Sequence, residues 1–140
     1  MDDVTSALTK NANGHSRSGI MRAPISEMEG LLSQMSRMDY IVACRFHGVV
    51  FAHLMNIPVL AISHHPKVAT LMNDLGLSEY CVDIRAFDPD LLMETFVRLA
   101  EKRNDVKARM AEKAADYKRR LTVQFDTLFP EIRRCRHEPM

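Results

Sequence analysis

The stretch DYIVACRFHGVVFAHLMNIPVLAISHHPKV, residues 39–68, decides the fold. Tyr40 to Cys44 is an unbroken apolar run of strand length, with Asp39 before it and Arg45 after it. Strands of a parallel sheet are covered on both faces, so they show continuous apolar runs rather than alternation. Phe46 to Asn56 is apolar nearly all round and too long for a strand, which predicts a helix buried against the sheet. Pro58 to Ser63 repeats the strand pattern. Pro66, whose φ is preset by its ring, suits the first position of a further helix. Strand, helix, strand, helix is the repeating unit of a parallel α/β sheet.

Towards the C-terminus, Val68, Leu71, Met72 and Leu75 give the Pro66 helix an apolar face, and Gly76 marks its stop. Tyr80 to Ile84 is a third strand. Asp88-Pro89 caps a helix from Asp90 to about Arg103, and Asn104 is expected to cap a final long one. That last helix carries Val106, Met110, Tyr117, Leu121, Phe125 and Leu128 at spacings of three, four or seven, a stripe expected to pack on the domain. Between Arg98 and Arg120 there are nine basic and four acidic residues, which fits a solvated helix face. Towards the N-terminus, Ser26 with Glu29 forms a capping-box pattern opening a helix with apolar Met28, Leu31, Leu32 and Met35. Ile20 to Ala23 is a short strand candidate, residues 11–19 a Gly/Ser/Asn-rich loop, and Asp2 to Lys10 a weak helix. The expectation is one α/β domain over residues 1–130, Rossmann-like with a mostly parallel sheet, flanking helices and a long C-terminal helix. Residues 131–140 are expected to form a flexible tail.

Bulk properties narrow the function classes. The chain has 140 residues, is 46% hydrophobic and carries a formal net charge of +1. A dedicated nucleic-acid binder usually shows a strong basic excess, so no nucleic-acid partner is expected. The longest apolar stretch, Gly48 to Ile62, is interrupted by His53, Asn56 and Pro58 and is shorter than the roughly 20 residues of a membrane span. Residues 1–19 have no apolar core of the kind a signal peptide needs. Three cysteines without metal-ligand spacing fit a reducing, cytoplasmic setting, and neither a metal nor a cofactor is expected.

Chemistry is expected beyond the carboxyl ends of the strands, where helix N-termini present free N–H groups. The first such crossing is Cys44-Arg45-Phe46-His47-Gly48. Arg45 supplies a fixed cation, Gly48 lets the backbone approach closely, and the helix end favours anions and a neutral His47 imidazole. The second crossing is Ser63-His64-His65-Pro66-Lys67. If the two strands are neighbours, Arg45, His47, His64 and Lys67 converge on one cleft suited to a small ligand with more than one anionic centre. Plainer roles stand beside these. Arg45 could pair with Asp83 or Glu79, His47 could cap its helix, and Cys44 is by pattern a buried strand residue. His53, mid-helix on an apolar segment, is expected to be structural, and adjacent His64 and His65 point apart rather than chelate.

The ordered string from Asp39 through Arg45-Phe46-His47, then Asn56-Ile-Pro-Val-Leu-Ala-Ile-Ser63, then Pro66-Lys67-Val68, resembles the polysaccharide pyruvyl transferase family. Leu75-Gly76-Leu77 and Tyr80 extend the likeness, which covers about residues 18–84. Where the family often has an aromatic and then Asp before Pro-Lys, this chain has His64 and His65. The resemblance implies the C-terminal, donor-binding half of a GT-B-like fold. It also implies transfer of a pyruvyl or enolpyruvyl group from phosphoenolpyruvate to a sugar hydroxyl in cell-surface polysaccharide biosynthesis. On that pattern Arg45 and His47 bind phosphoenolpyruvate, Phe46 lines the site, and His47 is the acid/base; Lys67 carries over less directly. Acceptor recognition belongs to the family's other half, so this half alone is expected to bind donor without completing the cleft unless a homo-oligomer or partner chain completes it. Two other readings are a non-catalytic binding or oligomerisation module, suggested by ten methionines, and half of a nucleotide-sugar glycosyltransferase.

Overall fold

The computed structural model describes residues 24–130. The 2–10 helix, the 11–19 loop, the 20–23 strand and the 131–140 tail of the sequence reading lie outside the described residues. The chain divides into two compact units, residues 1–31 and 32–140. Helix α1, Met28–Met35, crosses that boundary. The second unit holds the sheet: β1 Ile41–Ala43, β2 Val59–Ser63 and β3 Cys81–Asp83, in the order β1-β2-β3 and parallel throughout. Ile41 pairs with Val59, and Ala61 with both Ala43 and Cys81.

Helix α2, Phe46–Leu54, links β1 to β2, and α3, Pro66–Asp74, links β2 towards β3. Both crossovers step across the sheet in the same direction, so a right-handed path puts both helices on one face; α2 and α3 do touch each other. Helix α4, Pro89–Glu101, also packs on β2. Val59, Leu60 and Ala61 are fully buried although successive side chains point to opposite faces, so the central strand is covered on both sides. The sheet has the Rossmann-like layout its apolar runs predicted.

Element ends are set by caps. Asp88 accepts from the Asp90 N–H at 3.0 Å, with Pro89 in the first helical position of α4. Both crossover helices stop with paired reversed bonds. At α2 the N–H groups of Asn56 and Ile57 bond the carbonyls of His53 and Ala52; at α3 those of Gly76 and Leu77 bond Asn73 and Met72. This motif needs a left-handed residue, supplied by Asn56 at φ 54° and Gly76 at φ 69°. No side chain eases that conformation at 76, so Gly76→Ala is expected to cost about 1 kcal/mol in urea denaturation.

Helix α5, Arg103–Leu128, is separated from the end of α4 by the single residue Lys102. Asn104 lies inside it and does not cap it; Lys102 occupies the cap position without a side-chain bond. Two arginines fasten α5. Arg103 reaches Asp39 at 3.0 Å and lies 5.6 Å from the Tyr40 ring centre, while Tyr40 meets Phe96 edge-on at 5.4 Å. Arg109 donates to the Gly76 carbonyl at 2.7 Å and to Glu79 at 2.8 Å, over the buried Tyr80 ring. The apolar stripe packs only in its first half. Val106 and Met110 are fully buried and Tyr117 rests against the core, but Leu121, Phe125 and Leu128 are exposed.

Candidate functional site

In a parallel sheet all carboxyl ends lie along one edge, and β1 and β2 are neighbours, so the two crossings sit side by side. β1 ends at Ala43, one residue before the expected boundary. Cys44 is therefore exposed at the bend, not buried in the strand. Arg45 is the cap residue of α2 in extended conformation, φ −113° and ψ 145°, and its side chain makes no capping bond. The guanidinium is thus left to reach outward. Neither acid that the sequence offered as its partner takes that role: Asp83 lies 3.8 Å from Arg85, and Glu79 is held by Arg109.

Phe46 and His47 form the first turn of α2, their rings meeting edge-on at 5.7 Å. Position 48 must be small. A Cβ there would stand 3.2 Å from the Cβ of Ala43, so glycine lets α2 settle against β1 and fixes where the His47 turn begins. At the second crossing His65 caps α3: its Nδ1 accepts from the Lys67 N–H at 3.2 Å. Ser63 donates to the His65 carbonyl at 3.1 Å and steadies the bend. His65 is thus spent on capping, and His64 beside it is exposed.

Phe46, His47, Pro66 and Lys67 line one open hollow of about 740 Å³ between the starts of α2 and α3. Sequence reasoning had joined His47 and Lys67 through strand adjacency, and they do share this hollow. Arg45 and His64 stand at the same sheet edge but are not among its lining residues. Thr70, Leu71 and Asp74 line it further along α3 and were missed. Their signal was present in the sequence, since 67, 70, 71 and 74 recur at helical spacing on one face. The hollow is cationic and aromatic at the helix N-termini. It becomes acidic at Asp74, about 10 Å along the helix axis from Lys67.

Other chemistry-bearing side chains lie elsewhere. Burial, and then the Asp83 charge, push the Cys81 thiol up, which favours the inert protonated form. Among the described residues no three of His, Cys, Asp and Glu gather as a metal-ligand set. No helix among them is long and apolar enough to cross a membrane. His53 is buried near the end of α2, edge-on to Tyr117 at 6.2 Å, and neither ring nitrogen has a hydrogen-bond partner among the described residues. Burial holds its pKa below the usual imidazole value. As pH falls through about 6.5, the unfolded chain takes up a proton there that the folded chain refuses, so stability drains away as pH drops. His53→Leu is expected to flatten that acid-side loss, read as urea midpoints across pH 5 to 8 for both proteins.

A comparison with known protein families bears directly on the first crossing. Residues 9–66 match the family model for polysaccharide pyruvyl transferase. The matched segment contains β1, α2 and β2 and ends on the first residue of α3. Over this segment the chain is similar to that family, in agreement with the resemblance carried by the Arg45-Phe46-His47 string. Lys67 stands one residue beyond the segment. Neither a curated protein nor a solved structure gives a match.

Proposed function

We propose that the β1–β2 edge is the donor site of a pyruvyl transferase-like enzyme and that it binds phosphoenolpyruvate. The observation that carries this reading is the meeting of Phe46, His47, Pro66 and Lys67 in one hollow at the starts of two neighbouring helices, inside and just beyond the matched segment. Phosphoenolpyruvate has a phosphate and a carboxylate on adjacent carbons. Two helix N-termini, the planar fork of Arg45 and the compact charge of Lys67 are suited to two such anions. His64, exposed at the same edge, adds a donor. Phe46 offers an apolar wall to the methylene group.

In this reading His47 is the acid/base. A sugar hydroxyl adds to C2 of the enol phosphate while a proton goes to the methylene carbon, which becomes a methyl group. A second hydroxyl then displaces phosphate at C2, and the product is a ketal plus inorganic phosphate. An imidazole within reach of both centres can take the hydroxyl proton and deliver one to carbon. Thr70 and Asp74, at the other end of the hollow, present groups that bond hydroxyls and so fit a saccharide. Aligning acceptor with donor supplies much of the rate, and the family resemblance assigns that task to a second Rossmann-like half of a GT-B-like cleft. The setting is a cytoplasmic step of polysaccharide synthesis.

Calorimetry tests the donor claim. Saturable binding of phosphoenolpyruvate, tighter than that of inorganic phosphate or pyruvate, is expected. Absence of saturable binding by the folded chain would contradict it.

A further inference from the structure

The second half of α5 carries an apolar face that the rest of the described chain leaves open. Tyr117, Leu121, Phe125 and Leu128 fall on one stripe of the helix, whereas Val123 points the opposite way. Leu121 is 64% exposed, Phe125 48% and Leu128 63%. Phe129 lies against Phe125 with ring centres 4.9 Å apart and planes tilted by 45°, and Leu54 at the end of α2 is 68% exposed. Two hollows of about 580 and 400 Å³ lie along this stripe, on either side of Leu54 and Leu121.

We infer that this face pairs two copies of the chain, α5 against α5 in antiparallel sense about a two-fold axis. Two observations single out a second copy as the occupant. The first is area. Leu54, Leu121, Phe125, Leu128 and Phe129 each leave about 100 Å² open, so closing all five on both copies removes about 1,000 Å² from water, where specific interfaces begin. The second is charge. In a two-fold pair, residue i meets j and j meets i. An antiparallel pair centred at Thr122 sets Asp126 opposite the second copy's Lys118, and both residues line the same flank of the stripe. The face thus complements itself, with a basic start and an acidic end. Antiparallel helices also place opposite dipole ends together.

Light scattering coupled to size exclusion decides the matter. The intact chain is expected to run at twice its 16.0 kDa mass and to dissociate on dilution. Leu121→Glu is expected to give the monomer at least tenfold higher in concentration, with an unchanged circular-dichroism spectrum because the side chain is exposed. Val123→Glu, on the opposite face, should leave the dimer intact. Asp126→Lys should weaken it, and adding Lys118→Glu should restore it. A monomer at every soluble concentration overturns the proposal and leaves the face to another occupant. So does a dimer that tolerates Leu121→Glu or responds equally to Val123→Glu. Phosphoenolpyruvate binding is measured separately, at the opposite end of α2, so either conclusion can fail alone.

Discussion

Arg45→Ala is expected to weaken phosphoenolpyruvate binding at least 30-fold while leaving the fold intact. Arg45 caps α2 with its backbone alone, makes no capping bond through its side chain and is exposed. Truncation therefore removes a charge from the sheet edge and little packing. A hydrogen bond to a charged group contributes about 1.5–3 kcal/mol, which corresponds to roughly 10- to 150-fold in Kd, and a bidentate pair lies at the upper end. Arg45→Lys should recover only part of the loss, because an ammonium cannot present two parallel N–H groups. Titration calorimetry on the three proteins, with urea denaturation as the control for folding, reads both quantities. Equal affinity in wild type and Arg45→Ala would remove Arg45 from the site.

Gly48→Val is expected to destabilise the chain by about 2 kcal/mol or more and to weaken donor binding together with it. The first added carbon already stands 3.2 Å from the Cβ of Ala43, which is itself buried and, as a methyl on the backbone, cannot swing aside. Overpacking of this kind costs about 1–3 kcal/mol, and a β-branched residue adds two more carbons at the same spot. Gly48→Ala meets the same contact but gains about 1 kcal/mol of helix propensity, so it should fall near neutral. The pair separates close packing from backbone freedom. Relief of the clash requires α2 to move off β1, and that displaces the turn bearing Phe46 and His47. Denaturation midpoints and calorimetric affinities should therefore fall together in Gly48→Val.

Much of this was legible in the sequence because burial writes directly into composition. The apolar runs at 40–44 and 58–63 and the all-round apolar 46–56 segment became β1, β2 and α2, but only β2 is covered on both faces; the described residues leave Val42 of the edge strand β1 and Leu54 of α2 exposed. Punctuation at Pro66, Gly76 and Asp88-Pro89 was equally direct, since each acts through its own backbone or its neighbour's. Strand ends were less legible. Cys44 and Tyr80 are apolar enough to continue a strand, but the ladder stops where the chain must turn, leaving Cys44 exposed and Tyr80 in a short 3-10 turn. Asn104 misled because a good capping residue was overruled by continuity: α4 and α5 are joined by Lys102 alone. At the site, the order of strands had to be known before His47 and Lys67 could be placed together. Thr70 and Asp74 carried a readable spacing, but their polar character matched an ordinary solvated helix face until the hollow gave it a use. The open half of the α5 stripe was invisible for a related reason. Periodicity shows that a face is apolar, not whether anything lies beneath it.

The central claim is that phosphoenolpyruvate binds at the neighbouring starts of α2 and α3. Amide chemical shifts of the isotopically labelled chain, followed as phosphoenolpyruvate is added, test it most directly. The account predicts saturable shifts concentrated at residues 45–48 and 64–68, lost in Arg45→Ala. Shifts scattered elsewhere, or none at millimolar ligand, would contradict it.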